Sequence, residues 1–215
     1  MNQETKDFIE KHIDLIANDN FDELYHLVKV EDIDCSDLTS ALYTAELYPL
    51  DHMTYVPNRF AAKINTVQEY VIPEGIKKIE QFAFDGNALK SVRFPKTLKE
   101  LKTGCFTFCK NLTVIDTKNV EYIFEDAFLG CSELNTLITS ANIIDKFAFK
   151  DCMNLRNIHI SNNLSVIGFA AFNHVPATEI HYGGTKSEWS NVRLSDIWKE
   201  GKLHKIICTD GEVLI

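Results

Sequence analysis

The chain has 215 residues, 45% of them hydrophobic and 25% charged, with a formal net charge of −9. Residues 1–64 carry thirteen acidic against five basic side chains, while 65–215 carry eighteen against seventeen, so an acidic front precedes a near-neutral body. That balance argues against a nucleic-acid backbone as ligand, which needs concentrated Lys and Arg, and no segment approaches the ~20 apolar residues of a membrane-spanning helix.

The opening "MNQETKDFIE" has no basic stretch followed by an apolar run, so it does not read as a secretory signal. The expectation is a soluble, cytoplasmic chain whose six cysteines stay as thiols. "TKDFIEKHIDLIAND" places Phe8, Ile9, His12, Ile13 and Ile16 on one helical face. Asn20, three residues before Glu23, reads as a capping box opening a second helix with Phe21, Leu24, Tyr25 and Val28 on its apolar side. A third helix is expected from Asp37 through Glu46, stopping before Pro49. Residues 1–63 therefore form an acidic helical segment. One reading makes it a cap over the open end of the body that begins at residue 64; the other makes it a docking or effector module. Deleting residues 1 to 55 separates them, since only a module leaves a soluble remnant.

From residue 64 the chain repeats. Phe84, Phe106, Phe128, Phe149 and Phe172 recur at steps of 22, 22, 21 and 23 residues. Five residues ahead of them stand Ile79, Leu101, Ile123, Ile144 and Ile167, and immediately ahead stand Ala83, Cys105, Ala127, Ala148 and Ala171. Downstream runs an LxxIxI pattern: Leu89-Val92-Phe94, Leu112-Ile115-Thr117, Leu134-Leu137-Thr139 and Leu155-Ile158-Ile160, with weaker copies at Val67-Tyr70-Ile72 and Ala177-Ile180-Tyr182. A fixed period of this length means a solenoid, because one unit cannot bury its apolar side alone. The period-two stretch predicts a short strand in each coil, parallel to its neighbours, with the Phe column stacked inside.

These residues resemble the BspA-type bacterial leucine-rich repeats. "VEYIFEDAFLGCSELNTL" (120–137) and "ANIIDKFAFKDCMNLRNIHI" (141–160) follow the family's unit nearly position by position, and Pro73 and Pro95 stand where the family ends its strand. "IHYGGTKSEWSNV" and "IICTDGEVLI" are similar to its closing element, a Trp-bearing helix followed by a terminal hairpin. The resemblance implies an α+β fold: a right-handed leucine-rich-repeat solenoid of short parallel strands over 64–182, a C-terminal helix–hairpin cap over 183–215, and a surface used for binding.

Catalysis finds no support in the motifs. Cys109, Cys131 and Cys152 occupy one column, Cys105 an alanine column, and all four suit packing; Cys35 and Cys208 are isolated. A zinc site would need a fourth ligand and a short CxxC pair. His159 and His181 fall on the outward side of the strand, away from the cysteine column, so no thiol meets a base. The expectation is a non-enzymatic chain without cofactor or metal.

Between the inward positions of LxxIxI, side chains face out. One column reads Val71, Arg93, Asp116, Ile138, His159, His181; its neighbour reads Glu69, Ser91, Val114, Thr136, Asn157, Glu179. The candidate contact residues are Arg93, Val114, Asp116, Thr136, Ile138, Asn157, His159 and His181, with Val114 and Ile138 as an apolar centre. An ordinary solvated sheet face would look similar. The two imidazoles would make binding weaken at low pH. The function expected is binding of a protein partner, not nucleic acid or membrane. An inhibitor using the acidic helices against a basic or nucleic-acid-handling protein, and a surface adhesin, are the alternatives.

Overall fold

The computed structural model describes residues 3–12, 14–15, 26–27, 31, 55–56 and 67–215. The chain divides into two compact units, one formed by Met1–Pro49 with Ala62–Ile64, the other by Leu50–Ala61 with Asn65–Ile215. In the first unit, α1 (Gln3–Lys11) buries Phe8 and Ile9, as its apolar spacing requires. Glu31 accepts a hydrogen bond from Lys11 Nζ at 2.8 Å and contacts His12 Nε2 at 3.1 Å. The expected second and third helices lie outside the described residues, apart from His26 and Leu27, which are helical.

The second unit is a solenoid built on two ladders. The first is a seven-stranded parallel sheet of two-residue strands: β1 (Tyr55–Val56), β3 (Lys78–Ile79), β5 (Glu100–Leu101), β7 (Tyr122–Ile123), β9 (Ile143–Ile144), β11 (Val166–Ile167) and β13 (Arg193–Leu194). In the registers Val56↔Ile79↔Leu101↔Ile123↔Ile144↔Ile167↔Leu194 the aliphatic of each pair points inward. The second ladder holds the LxxIxI strands. Here β2 (Glu69–Val71) and β4 (Ser91–Arg93) form a two-stranded sheet of their own. β6 (Val114–Thr117), β8 (Thr136–Thr139), β10 (Asn157–Ile160) and β12 (Glu179–Tyr182) continue into the hairpin β14 (Lys205–Cys208) and β15 (Gly211–Leu214). The interruption has a sequence cause. Pro73 and Pro95 close the first two strands after three residues, and proline offers no N–H to a ladder. The next four strands have no proline behind them and run for four residues.

Between the ladders the five phenylalanines stack. Their ring centroids are 4.7, 5.4, 5.2 and 5.5 Å apart from Phe84 to Phe172, with interplanar angles below 10°. That spacing is close to the distance between neighbouring strands, so ring repeat and backbone repeat reinforce each other. The backbone N–H of Phe84, Phe106, Phe128 and Phe149 donates to the next coil at 2.8 Å, as Phe84 does to Cys105 O and Phe106 to Ala127 O.

The turns around these rings are left-handed at two places per coil, two residues before and two after the core Phe. The pairs are Phe82 and Gly86, Gly104 and Phe108, Asp126 and Gly130, Phe147 and Asp151, Ala170 and His174. Only three of these are glycine, so most turns carry a steric cost of about 1 kcal/mol per residue, offset by the interlocking hydrogen bonds.

After β12 the chain forms α2 (Lys186–Trp189), whose capping box pairs Thr185 with Glu188. Trp198 then takes the place of a sixth ring. Its carbonyl accepts Phe172 N–H at 3.0 Å, and its indole meets the Phe172 ring edge-on at 6.2 Å and 89°. Trp189 packs against Tyr182 at 5.2 Å, so both tryptophans cover the last coil.

Candidate functional site

Alternation along the LxxIxI strands aims one side chain in two outward, and the parallel register lines these up across coils. Asp116, Ile138, His159 and His181 are successive partners in one column; Val114, Thr136 and Asn157 are successive partners in the other. Arg93 stands apart from them. It pairs with Val71 across β2 and β4, and no ladder joins it to Asp116. The single six-layer sheet that the pattern suggests is thus split between the second and third strands, where the two prolines cut the ladder short. The column does continue past His181, through Ile207 to Glu212 of the hairpin.

The face is chemically graded. Val114 is 48% exposed, and Ile138 is half-buried between Asp116 and His159. Beside them runs a short amide and hydroxyl network: Asn135 Oδ1 accepts from Thr136 Oγ1 at 2.9 Å and from Asn157 Nδ2 at 3.0 Å. His159 and His181 stack with centroids 5.0 Å apart. His181 Nε2 lies 3.0 Å from Glu179, which also takes Lys205 Nζ at 3.2 Å. The Lys205 hydrogen bond holds the Glu179 carboxyl below the usual carboxylate range, and Glu179 raises Lys205 in return. At the other end Asp116 is paired with Lys118 at 2.9 Å. Apolar centre and charged ends therefore lie on one continuous surface.

The cysteines stand elsewhere. Cys105, Cys109, Cys131 and Cys152 are buried free thiols, and burial pushes Cys109 up to about 12. A thiol so raised is a poor nucleophile at neutral pH. Among the described residues no group of three His, Cys, Asp or Glu side chains is arranged to hold a metal ion, and no helix is long and apolar enough to cross a membrane.

Sequence reasoning passed over a second exposed apolar feature. Phe82, Phe108 and Phe169 flank the core rings on the turns and remain exposed. The signal was present in the doubled aromatics of "QFAF", "CFTF" and "GFAAF".

Residues 54–179 match the BspA type leucine rich repeat region, in 6 copies. The chain belongs to the BspA-type leucine-rich repeat family. A solved leucine rich cell surface protein from Faecalibacterium prausnitzii is also similar, at 22% identity with a TM-score of 0.40. That match covers 59% of this chain and 35% of the other, so this chain spans about a third of that longer protein. No curated protein matches. Repeats of this family point to a protein-interaction or surface module, a kind of fold that is typically non-enzymatic.

Proposed function

We propose that this BspA-type repeat protein is a non-enzymatic interaction module that binds a protein partner through the outward face of β6, β8, β10 and β12. One observation carries the reading. The inward columns of the solenoid are nearly invariant, Phe on Phe and Cys on Cys, whereas the outward column changes chemistry from Asp116 to Ile138 to His159 before repeating once at His181. A scaffold needs only the first. The second gives a surface with an apolar centre, a hydrogen-bonding strip and charged ends, the anatomy of a protein contact.

Affinity capture with the intact chain tests it. Ile138→Asp puts a charge at the half-buried centre, and the expected result is loss of the captured protein with little change in melting temperature. Lys110→Glu, an exposed change on a turn, should leave capture intact. Equal capture by all three proteins would refute the assignment.

A further inference from the structure

The split between β4 and β6 gives the binding face depth. A depression of about 430 Å³ opens there, with Val71, Arg93, Phe94, Lys96, Asp116 and Lys118 on its walls. Its size falls within the ~300–1,000 Å³ range of small binding sites. Phe94 also meets the core, its ring edge-on to Phe106 at 5.7 Å.

Charge in the depression is unevenly committed. Asp116 is satisfied by Lys118, through the ammonium at 2.9 Å and the backbone N–H at 3.2 Å. Glu69 lies opposite Ser91, two positions back along the strand from Val71 and Arg93, or roughly 6.6 Å towards the other end. Glu74 takes the Lys96 backbone N–H at 3.2 Å but forms no ion pair with its ammonium. Among the described residues the Arg93 guanidinium and the Lys96 ammonium have neither ion pair nor hydrogen bond. The near-neutral body, with eighteen acidic against seventeen basic side chains, holds two uncommitted cations at the C-terminal end of one depression, beside Val71, which is 60% exposed.

We propose that this depression seats an acidic side chain on an extended segment of the protein partner, the carboxylate held by Arg93 and Lys96 and an adjoining apolar side chain resting on Val71. A guanidinium presents paired donors that match a carboxylate. Two cations in a body that is otherwise near neutral suit one carboxylate and not a polyanion, which needs concentrated Lys and Arg. The inference rests on the sheet-face reading of function and gives that face's partner its chemistry.

An NMR titration of the intact chain tests it with a terminally blocked pentapeptide alternating leucine and glutamate, its glutamine counterpart, and inorganic phosphate. Saturable shifts are expected at Ser91–Arg93 and around Asp116 and Lys118 with the glutamate peptide alone. Binding should weaken about tenfold in Arg93→Gln and in Lys96→Gln, and less in Arg93→Lys. Equal response to both peptides, or unchanged affinity in the Gln variants, overturns the proposal. So does phosphate saturating the same signals as strongly, which would make this a free-anion site. Failure here is separable from failure of the face as a whole: if Ile138→Asp loses the captured partner while Arg93→Gln keeps it, the face stands and this seat falls.

Discussion

The Cys131 thiol donates to the Phe106 carbonyl oxygen at 3.1 Å, one coil back along the solenoid. Cys109 does the same to Phe84 O at 3.0 Å and Cys152 to Phe128 O at 3.2 Å, so the cysteine column stitches each turn to the preceding ring. Such a bond needs the proton. Burial raises all five buried thiols among the described residues: Cys109 to about 12, Cys105, Cys131 and Cys152 well above their ordinary value, and Cys208 above it. In the unfolded chain they titrate near 8.5, as free thiols do. The folded state therefore binds more protons than the unfolded state above about pH 8.5, and stability falls as pH rises. The contribution is complete below about pH 8.5 and is lost progressively towards about pH 12 for Cys109, with a slope of roughly 1.4 kcal/mol per pH unit for each thiol. Urea melts from pH 7 to 10.5 should show this decline, and Cys109→Ala should make it shallower by about one proton. An identical slope in the variant would remove the thiol from the explanation.

Phe128 lies at the middle of the ring stack, 5.4 Å from Phe106 and 5.2 Å from Phe149, and is fully buried. Phe128→Ala should cost ~3–5 kcal/mol in a urea melt, because rigid coils on both sides keep the neighbours from closing the cavity. A loss below about 1 kcal/mol would mean that the coils can shift relative to one another.

Gly130 answers a different constraint. It sits at φ +68° in a left-handed turn, and a Cβ there would lie 2.5 Å from Cδ1 of Phe108, whose ring covers it. Gly130→Ala should destabilise by about 1–3 kcal/mol from backbone strain and overpacking together. Pairing it with Phe108→Ala removes the ring and leaves only the strain, so the two changes should cost less together than their sum. Strict additivity in that double-mutant cycle would show that the ring moves aside freely.

The repeat was legible in the sequence because every coil restates it. The Phe column, the aliphatics five residues earlier and the alternating strand each recur often enough to outweigh local noise, and the outward columns follow from alternation alone. The seven-stranded ladder was not legible: strands of two residues, such as Lys78–Ile79, have no alternation to detect. Nor was the break between Arg93 and Asp116, since the LxxIxI spacing runs through both strands. The only hint was the pair of prolines, and their effect depends on a neighbouring strand that continues. Seven of the ten left-handed turn positions were hidden as well, because residues such as Phe82, Asp126 and Ala170 carry no glycine signal. The same limit applies to Ile138. Its half-burial comes from Asp116 and His159 on the adjoining strands, and register across coils reveals it where local sequence does not.

Trp198 ends the ring stack edge-on against Phe172 and accepts that residue's N–H, so it closes both the aromatic and the hydrogen-bonded columns. In a solenoid each coil is stabilised chiefly by the coils it touches. Loss of the end contact should therefore be felt most by the last coil and fade with distance. Trp198→Ala should destabilise the last coil by ~3–5 kcal/mol. Hydrogen exchange should quicken first at Phe149, Phe172 and Ile180, with Phe84 and Phe106 retaining protection until global unfolding. If exchange quickened equally in every coil, the solenoid would be unfolding as one unit, and the end would carry no special role.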